Sequence, residues 1–136
     1  MDDCNVVEKS IEELSKACDG LMWLSETDYP WYVAYWEDEG QIERSILIKQ
    51  YSCDPKIPMT QTTLDSWFKN AITERDWHDE IERLQVKRYR YLYNWLKNNL
   101  QDIKVFLVGE VEIDVYVVGK LNSNTVVSLS TKIVET

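Results

Sequence analysis

The chain has 136 residues, 44% of them hydrophobic and 12% aromatic, which suits one domain over 1–136 with a real core and is too short for two. Asp and Glu (24) outnumber Lys and Arg (15) for a net charge of −9, so unaided binding to a phosphate backbone is disfavoured and a basic partner is favoured. Cys4, Cys18 and Cys53 are odd in number and lack C-x-x-C spacing, which argues against a disulfide framework or a zinc site and points to reduced thiols.

The opening MDDCNVVEKS carries acid where a signal peptide needs a basic start and an apolar run, and no stretch nears ~20 apolar residues, so a soluble, unprocessed, cytoplasmic protein without membrane attachment is expected. Val7, Ile11, Leu14 and Cys18 recur at helical spacing and predict an amphipathic helix over Val6–Ala17, ended by Asp19-Gly20. LMWLSETDYP breaks that pattern, because Pro30 pushes Tyr29 away from helical angles. WYVAYWE and RSILIKQY are β-rich runs around DEGQ and predict a hairpin. SCDPKIPMTQ holds two of the three prolines and reads as a loop. LDSWFKNAI then sets Leu64, Trp67, Phe68 and Ala71 on one face of a short helix. The spacing of Ile81, Leu84, Arg88, Leu92, Trp95 and Leu96 predicts a long helix from Asp79 to Leu100, acidic at its start and basic later, as the helix dipole prefers. DIKVFLV, EVEIDVYVVG and TVVSLSTKIV predict three strands, the last two joined around LNSN. The sum is an α+β domain on a mainly antiparallel sheet.

Catalysis finds little support. There is one histidine, His78, and neither G-x-S-x-G nor H-E-x-x-H nor a phosphate-cradling glycine loop, so a non-enzyme without a bound cofactor is expected. Glu110, Glu112 and Asp114 stand at two-residue spacing opposite Val111, Ile113, Val115 and Val117; they have the chemistry to hold a hard cation, but a solvated sheet face accounts for them more simply. KRYRYLYNWLK interleaves bases and aromatics as single-strand binders do. On a helix, however, Tyr89, Tyr93 and Leu96 share one side and Arg90 and Lys97 another, so packing plus a solvated stripe explains the run better.

Three stretches resist a purely structural account. In SETDYPW, Ser25 and Asp28 have capping-box spacing, which would make Glu26 a first-turn acid, yet Pro30 argues that no long helix starts there. In TERDWHDE, Thr73 and Asp76 repeat that spacing, leaving Asp76 a cap or a contact residue, while Trp77, bracketed by charges, is either core or a protruding anchor. In TVVSLSTKIVET, Val127, Leu129, Thr131 and Ile133 alternate with Ser128, Ser130 and Lys132, predicting a strand with the Thr136 carboxylate at its tip.

Taken in order, ACDGLMWLSETDYPWYVAYWE, DSWFKNA with TERDW, GEVEIDVYVVG and STKIVET resemble the nuclease A inhibitor family, small acidic proteins that block non-specific, metal-dependent DNA/RNA endonucleases. The likeness spans nearly the whole chain and departs in the 52–61 loop and the 120–125 turn. It implies an α/β/α sandwich similar to the pathogenesis-related-1 fold. It also implies inhibitory contacts at Glu26, Asp76, Trp77 and Thr136, the last directed at the metal of a ββα-metal nuclease bound one-to-one. No direct nucleic-acid binding is implied. A different basic protein partner for the same fold is the alternative.

Overall fold

The structure, a computed structural model, describes residues 2–23, 29–51, 56–69, 71–77 and 79–134. Helix α1 (Asp2–Cys18) buries Leu14 and Cys18 and rests Ile11 on the same core, and ends where Gly20 takes φ 71°, a conformation costly for any residue with a Cβ. Strands β1 (Met22–Trp23) and β2 (Tyr29–Pro30) form a short antiparallel ribbon, Met22 opposite Pro30 and Trp23 opposite Tyr29. The main sheet has five antiparallel strands in the order β3 (Tyr32–Glu37), β7 (Thr125–Val134), β6 (Glu112–Asn122), β5 (Gln101–Val108), β4 (Met59–Thr62). The expected α+β class, antiparallel sheet and three-strand meander are all present.

Two local expectations are corrected. RSILIKQY is not the second arm of a hairpin but helix α2 (Arg44–Tyr51), and the partner of β3 is β7, paired from Tyr32–Ser130 to Glu37–Thr125. The deciding contacts lie outside the quoted run. Within the helix Ile46, Leu47 and Tyr51, together with Ile42 from the turn before it, pack on Phe106, Val108, Val118 and Val126. The loop reading of SCDPKIPMTQ also fails at its end, where Met59–Thr62 pairs with β5 as the sheet edge; 52–55 lie outside the described residues.

The sheet carries a core on each face, with the α2 side covered over only part of its area. Val105, Val115, Val117, Val127, Leu129 and Ile133 face α1, α3 (Leu64–Phe68) and α4 (Glu80–Asn99), while Phe106, Val108, Val118 and Val126 face α2. Strand periodicity of two sends sequence neighbours such as Val117 and Val118 to opposite cores, which is why β6 and β7 read as dense apolar runs. Among the described residues, no helix is long and apolar enough to cross a membrane.

Helix α4 begins on a reciprocal cap. The Asp79 carboxylate accepts from the Glu82 N–H at 2.8 Å, and the Glu82 carboxylate accepts from the Asp79 N–H at 3.3 Å. At the other end the cap residue Leu100 lies against β6 at Gly119, where an added Cβ would stand 3.0 Å from that of Leu100. Leu92, Trp95 and Leu96 are buried as the spacing predicts, but Ile81 and Leu84, expected on the same face, are exposed.

Burial of Cys18 pushes its thiol up to about 12, only partly offset by the Arg88 guanidinium nearby. The folded state therefore holds this proton more tightly than the unfolded chain, whose thiol titrates near 9.0. The resulting stabilisation is complete below pH 9.0 and is lost as pH rises towards about 12. Site-resolved mass spectrometry should find Cys18 unalkylated in the folded protein at neutral pH and modified once denaturant is added. Alkylation of Cys18 under native conditions would show that the site opens.

Candidate binding surface

Of the four candidate residues, Asp76 and Trp77 are described; for Glu26 and Thr136 only the flanking chain is. Glu26 falls in the segment 24–28, outside the described residues, but both of its flanks are described: the rung from Trp23 to Tyr29 closes the segment at its base. That base is stitched to the last strand. The Thr131 hydroxyl bonds the Pro30 carbonyl at 2.9 Å and the Tyr29 carbonyl at 3.3 Å. Thr136 is likewise outside the described residues, yet β7 is paired as far as Val134, opposite Glu112. Two residues of extended chain reach at most ~7 Å further.

Asp76 and Trp77 occupy the turn before α4. The helix cap is Asp79, so Asp76 is not the capping residue; it is exposed, and Thr73 spends its hydroxyl on the Lys69 carbonyl at 2.6 Å instead. Trp77 is 74% exposed, whereas Trp31 and Trp95 are buried. Helix α4 points this turn towards the same end as the tip of β7. Its C-cap lies at Gly119, which pairs with Val127. Further towards its N-terminus, Tyr89 accepts the Trp31 indole N–H at 3.1 Å, one residue from the Tyr32–Ser130 rung. Moving up β7 from Val127 towards Val134 therefore matches moving down α4 towards Asp79.

Residues 8–136 match the family described as Nuclease A inhibitor-like protein, nearly the full length. The chain belongs to that family. Membership implies inhibition of a nuclease as its role and a nuclease as its partner. No curated protein matches the chain.

In this nuclease A inhibitor-like protein, the runs that suggest nucleic-acid or metal binding are engaged within the fold. Arg88 donates to the Ala17 and Asp19 carbonyls, and Arg90 to that of Ile72 at 2.7 Å. Tyr93 donates to the Asp65 carboxylate, which Lys97 pairs with at 3.2 Å; these two bonds hold the Asp65 carboxyl below its ordinary range and tie α3 to α4. Glu110 and Val111 fall in the turn before β6, and Lys132 reaches Glu112 at 3.9 Å and Asp114 at 4.0 Å across an open sheet face. Among the described residues no group of three or more His, Cys, Asp or Glu is arranged to hold a metal.

Periodicity places Thr131 on the inward face but gives it no role. Its signal is a hydroxyl on an inward face otherwise held by Val127, Leu129 and Ile133. Thr131→Val keeps the β-branched shape but strands the Pro30 carbonyl, and should cost about 1 kcal/mol in urea unfolding. Trp77→Ala should change that stability by no more than about 0.5 kcal/mol, as for an exposed position; a larger loss would place the indole in the core.

Proposed function

We propose that this chain blocks a sugar-non-specific endonuclease of the ββα-metal type by forming a one-to-one complex that plugs its active site. The supporting observation is Trp77, a large aromatic left 74% exposed in an acidic turn of a protein of the nuclease A inhibitor-like family. Exposed tryptophans are the residue type most enriched among interface anchors. The whole chain acts as one domain, read as a three-layer α/β/α sandwich of the pathogenesis-related-1 kind; cores on both faces of the sheet support that reading.

The chemistry follows from what such a nuclease must hold. A divalent metal and basic side chains engage the scissile phosphate, and the carboxylates of Glu26 and Thr136 occupy those positions without offering a bond to cleave. The metal belongs to the target. Asp76 adds negative charge beside Trp77, which supplies the apolar anchor. The net charge of −9 draws the protein to a basic cleft and speeds encounter. The Thr131 bonds to the base of the 24–28 segment support a shared footing for the two carboxylates, which lowers the ordering cost of inserting them together.

The purified protein should suppress digestion of both DNA and RNA by such a nuclease while cutting neither. Protection that persists against unrelated nucleases would mean that it sequesters substrate instead. Glu26→Gln should weaken inhibition by about 2–5 kcal/mol with little change in melting, the loss typical of a desolvated charge contact. A short flexible tag after Thr136 should impair inhibition far more than the same tag before Met1, because it replaces a carboxylate with an amide and adds chain in the cleft. Equal inhibition by the two folded, tagged proteins would remove Thr136 from the mechanism.

A further inference from the structure

Ile81, Leu84, Arg88, Leu92 and Trp95 follow one another at three- and four-residue steps along one face of α4. Over the second half of the helix that face is covered by α1, which runs antiparallel to it: the Trp95 indole donates to Glu13 at 3.2 Å, and Arg88 donates to the carbonyls of Ala17 and Asp19. Helix α1 stops at Cys18 and the chain turns at Gly20, level with Arg88. Beyond that point the face is open. Ile81 is 71% exposed and Leu84 58%, and Trp77 stands four residues before Ile81 in the turn that leads into the helix.

The charge around this strip selects its occupant. Between positions 74 and 84 there are five acids, Glu74, Asp76, Asp79, Glu80 and Glu82, against Arg75 and Arg83. Asp76, Asp79 and Glu80 are exposed, while Arg83 is held by Glu74 at 3.3 Å. A second copy of the chain docked about a twofold axis would set these acids against themselves. A basic protein with an apolar ledge meets no such repulsion. The strip is also bounded: two turns past Leu84, Tyr91 lies among Glu13, Lys16, Lys87 and Arg88, where the excess of acids ends.

We infer that Ile81 and Leu84, on the first turns of α4 just after Trp77, add an exposed apolar strip that seats the rim of the target nuclease, beside its active site rather than in it. This rests on the inhibitory reading above and assigns two further contact residues to it. The strip contributes through desolvated apolar contact, so its loss acts on the dissociation rate more than on encounter.

The test uses the full chain and a purified ββα-metal endonuclease that the parent inhibits. The double variant Ile81→Ala, Leu84→Ala keeps good helix formers at both sites, so its melt should match the parent's. Its inhibition constant should rise about tenfold or more, carried by faster dissociation. Oxidative footprinting of the parent should show Ile81 and Leu84 protected in the complex. If the parent inhibits, the variant inhibits as strongly, and the footprint is unchanged on binding, the strip is not a contact and the inhibitory reading stands without it. Failure of the parent to inhibit any such nuclease overturns both. Self-association of the parent that the double variant abolishes would assign the strip to a second copy and overturn the inference.

Discussion

Strand β7 is the constraint on which the rest of the structure depends. Ten residues long, it pairs with β3 on one side and β6 on the other, and carries Val126 into one core and Val127, Leu129 and Ile133 into the other. A strand with two neighbours, one buried face and one partly covered face has no freedom of register, since a slip of one residue would exchange its two faces wholesale. Its pairing with β3 joins segments 98 residues apart at the Tyr32–Ser130 rung. That pairing draws the β1–β2 ribbon and the base of the 24–28 segment to the tip of the last strand. The Thr131 hydroxyl then closes the junction at two carbonyls.

What was legible in the sequence depended on whether the deciding contact was local. The first helix, the long helix and the three final strands could be read because periodicity and caps act within a few residues. RSILIKQY could not be read as a helix from its own composition, since Ile46, Leu47 and Ile48 form an apolar run with no period. Only Ile42 before it and the Phe106–Val126 face opposite it give the run a side. Met59–Thr62 is a strand because β5 offers an edge, which no local feature announces. Ile81 and Leu84 fit the helical face that Leu92 and Trp95 occupy, and periodicity has no means of saying that α1 ends at Cys18 and leaves them outside.

The candidate surface was legible by a different route. Composition could mark Trp77 as odd among its charges but not choose between anchor and core; its exposure removes the core reading, and the cap at Asp79 shows that Asp76 does not cap α4. Glu26 and Thr136 entered through family resemblance and lie outside the described residues. Thr131 bridges 101 residues to Pro30, a relation invisible along the chain.

The two halves of α4 divide the labour that such a protein needs. Its second half places Tyr93 and Lys97 on Asp65, while Leu92, Trp95 and Leu96 fill the core, so the basic, aromatic run is spent on holding helices together. Its first half carries acids and uncovered apolar side chains and contributes less to the fold than its length suggests. A helix built this way presents its N-terminal turns as a rigid extension of a buried rod, and a contact on such an extension loses little conformational freedom when a partner closes over it. On the inhibitory reading proposed above, stability and recognition would fall on separate stretches of α4 and the turn before it, and changes at Trp77, Ile81 or Leu84 would alter partner choice without disturbing the core.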